Sequence, residues 1–301
     1  MPFVLPPPEL PQKKNGMMMN QSKGGRLPFL LVVARGWRDD SPMAPREGAK
    51  TKKKKKKNFE TGKKGSAASA SFKTIDLGRG KTVEIFCDAE AENVGDVDFA
   101  QLNGNLYGAG DVIWPSSEAL ARLVAHVPSL VKDKDIIDIG AGLGLVSAAA
   151  IMSQAKRVLA VDYDAEVLEM TRKSVEKMAS SVSSSDSANN IDFNGAEVKQ
   201  LDWTSIDGDK WPKHEFDVAL ASDVLYDENC AQCVANVIDR VLKKKTANGD
   251  DESNITALLC DPAHRPNREK FSEMCDKLGL EAIDAEYPGD KNMRLVQVLR
   301  R

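Results

Sequence analysis

Three glycines follow a short apolar segment in the sequence IIDIGAGLGLVS, residues 136–147. Gly140, Gly142 and Gly144 stand at every second position, between a predicted strand and a predicted helix. Glycines at such a turn let the chain bend sharply, let the backbone approach a ligand without an intervening Cβ atom, and let the helix pack closely. The pattern predicts either a ligand-binding turn or close packing alone.

Two further groups follow the next two predicted strands. RVLAVD ends in Asp162, whose carboxylate can accept both ribose hydroxyls of an adenosine ligand. LDW places Asp202 and Trp203 after the third strand, where an acid can meet the adenine amino group and an indole can cover the purine. Alternatively, Asp162 caps a helix and Trp203 fills the core. Because all three groups fall at the carboxyl ends of successive strands, where open α/β sheets bind ligands, we expect a nucleoside site.

NAD and S-adenosylmethionine both contain the adenosine that Asp162 would bind. The dinucleotide fingerprint requires its third small residue at position 145, and this sequence has Leu145 there. A pyrophosphate site is therefore disfavoured but stays open.

Strand and helix patterns alternate regularly around these groups. A β-hairpin is predicted where FKTIDL and KTVEIF flank GRGK, and an amphipathic helix follows Pro115, with Ser116 as a capping hydroxyl. Apolar strand patterns then alternate with helix patterns, one of which has Asp164 as its N-cap, while SSVSSSDSANN is expected to be a surface loop. The order predicts an α/β fold with parallel βαβ units.

The charge is distributed unevenly along the 301 residues. Residues 1–70 hold 16 Lys and Arg against 5 Asp and Glu, whereas the remainder holds 26 against 40. The first segment lacks apolar periodicity and is predicted to be a disordered basic arm, although its run Lys52–Lys57 is also typical of a nuclear-import or nucleic-acid-binding segment. Residues 71–301 are predicted to form the folded domain, with the hairpin and first helix at about 71–130. An acidic domain is a poor general nucleic-acid binder and suits a cationic partner.

Five cysteines favour a reducing compartment, so we expect a cytoplasmic or nuclear location. Cys230 and Cys233 share one helix face, but no further pair of ligands at zinc spacing accompanies them, and we predict packing and no metal. The sequence contains no apolar run long enough to span a bilayer, and we expect no membrane association. A monomer is expected.

IIDIGAGLGLVS, VLAVDYD and LDW together resemble the first three cofactor motifs of class I, seven-stranded S-adenosylmethionine-dependent methyltransferases. DVIWPSSEAL before the first core strand and ALASDVLYDE after the fourth are similar to the family that methylates lysines of non-histone proteins, among them calmodulin and the electron transfer flavoprotein β-subunit. The resemblance covers roughly residues 72–301. It implies a Rossmann-like seven-stranded sheet flanked by helices, with the last strand antiparallel and inserted beside its neighbour.

The resemblance also implies roles for individual residues. Asp223 and Tyr226 would line the channel for the target lysine of a protein substrate and act in catalysis. The expected S-adenosylmethionine contacts are Trp114, Asp138, Gly140, Gly142, Gly144, Asp162, Asp202, Trp203 and Ser222. CDPAHRP after the fifth core strand has no assigned role: His264 and Arg265 either face the substrate or cap the next helix.

The leading hypothesis is therefore a protein-lysine N-methyltransferase. The alternatives are a methyltransferase for a small amine on the same fold and a binding module without turnover. A nucleic-acid base methyltransferase is disfavoured, because enzymes that methylate exocyclic amines usually have an N/D-P-P-Y turn after the fourth core strand, and this sequence has SDVLY there. A NAD-dependent oxidoreductase is disfavoured by Leu145 and by LDW.

Overall fold

A computed structural model describes residues 70–88, 111–185, 195–206, 210–244 and 256–301. The predicted disordered arm, residues 1–70, lies outside these ranges except for Ala70, at which the first strand begins.

The core is a seven-stranded sheet with strand order β5-β4-β3-β6-β7-β9-β8. Strands β3 to β7 pair in parallel, while β9 runs antiparallel between β7 and β8. The predicted α/β fold, including the inserted antiparallel last strand, is confirmed. The strands are β3 (Asp135–Ile139), β4 (Arg157–Asp162), β5 (Ala196–Gln200), β6 (Val218–Ser222), β7 (Thr256–Pro262), β8 (Leu280–Tyr287) and β9 (Asp290–Arg300).

Helices connect these strands and cover both faces of the sheet. Strand β3 is buried at every position except its first, because both of its faces pack against apolar side chains of the two core clusters. The helices are α1 (Pro115–His126), α2 (Leu145–Met152), α3 (Ala165–Ser185), α4 (Glu228–Val241) and α5 (Arg268–Lys277). None of the helices in the described part of the chain is long and apolar enough to cross a membrane.

The strand order reverses at β3. The chain runs from β3 to β4 and β5 on one side, and the next strand, β6, pairs on the other side of β3. Connections that leave a central strand in opposite directions open a crevice at its carboxyl end. The loops after β3, β4 and β6 therefore meet at one edge of the sheet.

The predicted hairpin is formed by β1 (Ala70–Gly78) and β2 (Lys81–Asp88) and packs on the helical layer. Ile75, Leu77, Val83 and Ile85 are buried in the same core cluster as α1. A ring nitrogen of His126 lies 2.7 Å from the carbonyl oxygen of Leu77, at the C-terminal end of α1. The hairpin thereby holds α1 in place, and the other end of α1 lies at the crevice.

Helix α3 is longer than the sequence pattern predicts, since part of the serine-rich segment assigned to a loop is helical as far as Ser185. The hydroxyls of Ser180, Ser181 and Ser183 each donate to the carbonyl four residues earlier. Serine usually favours caps and turns because its hydroxyl competes for backbone groups, but here that bonding takes place within the helix. The start of α3 is as predicted, because the Asp164 carboxylate accepts from the amides of Glu166 and Val167.

The glycine turn provides a test of the packing between α2 and α3. Gly144 has φ +82°, and a Cβ added there would lie 3.0 Å from Cγ2 of Thr171 on α3. We expect Gly144→Ala to lower the free energy of unfolding by about 2–3 kcal/mol, of which the left-handed backbone accounts for roughly 1–2 kcal/mol. Urea denaturation followed by circular dichroism measures the change.

Gly279→Ala is the matched control, because Gly279 has φ +72° and nothing within 4 Å of an added Cβ. It should cost only the backbone strain. Thr171→Ser, which removes the methyl group and keeps the hydroxyl, should recover part of the loss in Gly144→Ala. Equal costs for the two alanine variants, without recovery, would contradict the packing argument.

Candidate functional site

A cleft opens at the carboxyl edge of the sheet, where the loops after β3, β4 and β6 meet. The space between its walls, including the open mouth, is about 710 Å³. Three of the four tryptophans of the chain line it. The described residues that line the cleft are Trp114, Ile139, Gly140, Gly142, Val161, Asp162, Tyr163, Leu201, Trp203, Trp211, Ser222, Asp223, Val224, Tyr226 and Arg265.

The glycine turn forms the floor of the cleft. A Cβ atom at Gly140 would lie 3.1 Å from the indole of Trp203 and 3.3 Å from Val224, so the bare backbone makes room for these side chains. Asp138 lies beneath the turn and is almost fully buried, and its carboxylate accepts from the Ser147 hydroxyl at 2.7 Å. This hydrogen bond connects β3 to α2 across the turn. Burial raises the pKa of Asp138 to about 7.

Asp162, at the end of β4, lies beside the turn. Its Oδ2 accepts from the Gly142 amide at 3.0 Å and its Oδ1 accepts from the Asp164 amide at 3.2 Å. Burial raises the pKa of this carboxyl, and the backbone amides oppose that rise. The Tyr163 amide also bonds to this carboxylate, so three of its four acceptor positions are used by the backbone. The remaining acceptor capacity can serve a hydroxyl group of a ligand in the cleft.

An aromatic wall follows β5. Trp203 is half-buried, with its ring centroid 6.4 Å from that of Tyr226. The Asp202 side chain is exposed and caps a short 3-10 helix, accepting from the amide and hydroxyl of Thr204. Its carbonyl accepts from the indole nitrogen of Trp211 at 3.2 Å. Asp202 thus orients a wall of the cleft through its backbone, while its carboxylate lies outside.

Asp223 follows β6 with a left-handed backbone, φ +55°, and is buried. Its Oδ1 accepts from Nε and one terminal nitrogen of Arg265, at 3.0 and 2.6 Å. Its Oδ2 lies 3.4 Å from the Ser116 hydroxyl, which donates to it. Burial raises the pKa of Asp223, and the Arg265 guanidinium opposes the rise. The carboxylate that the sequence indicated for an arriving ammonium is therefore already paired with a cation.

Arg265 belongs to the segment whose role the sequence left open. Two further hydrogen bonds accompany the ion pair between Arg265 and Asp223. The Leu225 amide donates to Asp261, and the Asn267 side-chain amide donates to the Leu225 carbonyl. Three side chains, Asp261 at the end of β7 and Arg265 and Asn267 after it, thus hold the loop that follows β6. His264, between them, is exposed and does not line the cleft.

Helix α1 contributes its first turn to the cleft. Trp114 is the N-cap residue without a side-chain cap, and Pro115 is the first helical residue, as predicted. The expectation that Ser116 caps the helix is wrong, because its hydroxyl is buried and bonds to Asp223. The Ser116 side chain therefore points into the protein, toward Asp223.

Tyr226 borders the cleft next to the two cysteines of α4. Its side chain hydrogen-bonds the thiol of Cys230, which is buried, and burial raises the pKa of that thiol to about 12. A thiol with so high a pKa is a poor nucleophile and metal ligand at neutral pH. Among the residues that the structure describes, no group of three or more His, Cys, Asp or Glu is arranged to hold a metal ion.

The structure brings together eight of the eleven residues that the sequence indicated for the site. Asp138, Gly144 and Asp202 do not line the cleft; the first two support the turn, and the third positions Trp211. Sequence reasoning missed Ser116, Trp211, Tyr163 and the assignment of Arg265. Of these, only Arg265 could have been assigned from the sequence, because it is a cation in a predicted loop at the same edge of the sheet.

A protein-family model described as "Lysine methyltransferase" matches residues 95–271, more than half of the chain.

Individual relatives agree with this match. The chain is 24% identical over 214 residues to the calmodulin-lysine N-methyltransferase of Arabidopsis thaliana, covering 67% of this chain and 62% of that protein. It is 21% identical over 221 residues to the protein N-terminal and lysine N-methyltransferase EFM7 of Cryptococcus neoformans, covering 62% of this chain and 68% of that protein. A segment of 53 residues is 42% identical to the human electron transfer flavoprotein beta subunit lysine methyltransferase, covering 18% of this chain and 20% of that protein. The match thus spans less than two thirds of the length of the first relative.

The buried acid below the turn predicts a pH dependence of stability. Since the pKa of Asp138 rises from 3.8 in the unfolded chain to about 7, the folded state binds its proton more tightly. The stability that protonated Asp138 adds to the folded state is fully present below about pH 4 and is lost as the pH rises through about 7. Relative to the wild type, Asp138→Asn should therefore gain on the order of 2 kcal/mol in unfolding free energy between pH 5 and 8.

Denaturation curves across that pH range measure the difference. Asp76→Asn is the control for the removal of one carboxylate, because Asp76 is exposed and Asn keeps the acceptor oxygen for the Gly78 amide. A difference between Asp138→Asn and the wild type that stays constant with pH would show that Asp138 does not titrate in this range.

Proposed function

Because the chain belongs to the lysine methyltransferase family, we propose that it transfers the methyl group of S-adenosylmethionine to a lysine side chain of another protein. The observation that carries the proposal is that Asp162 and Asp223 open onto one cleft, from opposite sides of the strand-order reversal. One carboxylate suits a ribose, and the other lies where an acceptor group would enter.

The cleft residues fit the methyl donor. Asp162 would hold the ribose hydroxyls, Trp203 would lie against the adenine, and the bare backbone at Gly140 and Gly142 would accommodate the amino-acid part. The donor would supply a methyl group on a positively charged sulfur, so that a nitrogen–carbon bond can form with a neutral amine as the carbon–sulfur bond breaks and S-adenosylhomocysteine leaves; this chemistry needs no metal.

The chain must then bind the acceptor as a neutral amine. A free lysine has a pKa of about 10.4, so removing its proton at pH 7 costs on the order of 4.6 kcal/mol. Burial against the aromatic side chains of Trp114 and Tyr226 reduces that cost, because desolvation disfavours the ammonium. Asp223 orients the amine, and holding it in attack geometry contributes several kcal/mol.

A protein substrate is supported by the charge of the sequence after residue 70. Past residue 70 the sequence holds 40 acidic against 26 basic residues, which attracts a basic surface. The Cryptococcus relative is named for protein N-termini as well as lysines, so an α-amine is the nearest alternative acceptor. A small free amine and a binding module without turnover remain the other candidates.

We further propose that the protein acts as a monomer in a reducing compartment, the cytoplasm or the nucleus, and does not use nucleic acid as its main partner. The free cysteines, four of them buried, support the reducing compartment, and the acidic balance of the sequence past residue 70 supports a partner other than nucleic acid.

The test is transfer of label from methyl-labelled S-adenosylmethionine, with a protein fraction and a small-molecule fraction of a cell extract as acceptors. We expect label in a protein band, recovered as methyl-lysine after hydrolysis, and at least a ~100-fold lower rate in Asp223→Ala. Label recovered as an α-N-methyl amino acid would assign the N-terminal alternative. Label confined to small molecules, or no label at all, would refute the proposal.

The donor site has its own prediction. Asp162→Ala removes the acceptor of the ribose hydroxyls and should weaken S-adenosylhomocysteine binding at least ~30-fold, since two hydrogen bonds to a charged group contribute about 1.5–3 kcal/mol or more. Quenching of the cleft tryptophans measures the affinity. Asp164→Ala, whose carboxylate caps α3 outside the cleft, is the control and should bind as the wild type does. Tight binding of NAD by the wild type, with S-adenosylhomocysteine ignored, would assign a different cofactor.

A further inference from the structure

We propose that Arg265 is a positioning residue that keeps the acceptor amine neutral, because it supplies the positive charge that Asp223 would otherwise take from the ammonium. The inference rests on the proposed function, since it concerns the amine that enters the cleft. It assigns a role to the CDPAHRP segment, which the motifs of the sequence leave unexplained.

The contact between the Arg265 and Asp223 side chains is bidentate at Arg265 and buried. Two nitrogens of Arg265 donate to a single oxygen of Asp223, and the side chains are only 7% and 5% exposed. Charges buried to this extent are screened little by salt or water. Arg265 also lines the cleft, so its charge acts both on the carboxylate and on a group that approaches it.

A lone Asp223 carboxylate would select the wrong form of the substrate. An opposite charge within a few ångströms stabilises an ammonium and raises its pKa, yet the ammonium has no lone pair with which to attack. With Arg265 in place, the carboxylate is already balanced. An ammonium would then meet the guanidinium as a like charge, and the neutral amine is preferred.

The other titratable groups around the pair lie mainly on β7 and the loop that follows it. Asp261 is fully buried, with a pKa raised to about 7 by burial and by Asp223, and one of its oxygens, Oδ2, has no hydrogen-bond partner. His264 and the buried Cys260 interact with Asp223 from the same segment, and the Ser116 hydroxyl of α1 donates to it. Asp261 is therefore the competing site for a proton.

The experiment counts the protons released when an amine binds. The full chain, saturated with S-adenosylhomocysteine, is titrated with n-butylamine at pH 8 in two buffers of different ionisation enthalpy. Because the amine is protonated in solution at this pH, binding in the neutral form releases about one proton per amine. We expect about one proton for the wild type and for Arg265→Lys, and fewer than about 0.2 for Arg265→Met.

Two variants separate this role from general damage. Arg300→Met removes another Arg–Asp pair, with Asp239 at 2.7 Å, far from the cleft lining, and should release protons as the wild type does. Asp261→Asn should also leave the count unchanged. A count that changes in Asp261→Asn but not in Arg265→Met would assign the effect to Asp261 and overturn the inference.

The rate of methyl transfer gives an independent readout. On the protein band labelled in the assay above, the acid limb of the pH–rate profile of Arg265→Met should move up by at least about one pH unit. The rate should fall about tenfold at pH 7 and recover above about pH 9.5. A purely structural loss would lower the rate at every pH.

The outcomes separate the two proposals. If no protein is labelled by the wild type, the proposed function is wrong. If protein is labelled but the wild type binds n-butylamine without releasing a proton, or does not bind it, only the role of Arg265 is wrong. An unchanged acid limb in Arg265→Met also overturns that role.

Discussion

The buried ion pair between Asp223 and Arg265 is the interaction on which the site depends. Desolvation raises the pKa of a carboxylate that is only 5% exposed, and the charge of the Arg265 guanidinium opposes that rise. The guanidinium keeps it ionised at the cost of burying a second charge. The pair is therefore better explained by function than by stability, since an apolar pair of the same volume would hold the two loops without the cost of desolvating two charges.

The backbone at Asp223 supports this interpretation. A non-glycine residue at φ +55° costs on the order of 1–2 kcal/mol and persists only where the surroundings impose it. Here the Asp223 amide donates to the Cys260 carbonyl, and the next loop holds Leu225 through Asp261 and Asn267. Strands β6 and β7 are parallel neighbours, so their loops leave the sheet side by side and can brace each other in this way.

Much of the fold could be predicted from the sequence because its signals are local. Hydrophobic period and turn residues indicated the hairpin, the parallel units and the glycine turn, and the family resemblance added the inserted last strand. The serine-rich end of α3 was missed because the hydroxyl bonds within the helix are not visible in a composition that is typical of loops. Ser116 was taken for a cap since position alone favours that, whereas its partner lies 107 residues away. Arg265 stayed unassigned for the same reason.

The balanced charge inside the cleft shifts the problem of selecting a substrate to the outside. A carboxylate that is already paired cannot attract a lysine over long distances, because the dipole of the pair falls off faster than the field of a single charge. Attraction must then come from outside the cleft, for which the acidic excess of the sequence past residue 70 is the candidate, and such attraction acts on a whole protein and depends on salt. The aromatic side chains and the Asp223–Arg265 pair discriminate only at contact, between a neutral amine and an ammonium. Recognition of the partner and activation of the amine are therefore performed by different parts of the chain, so each can change without loss of the other.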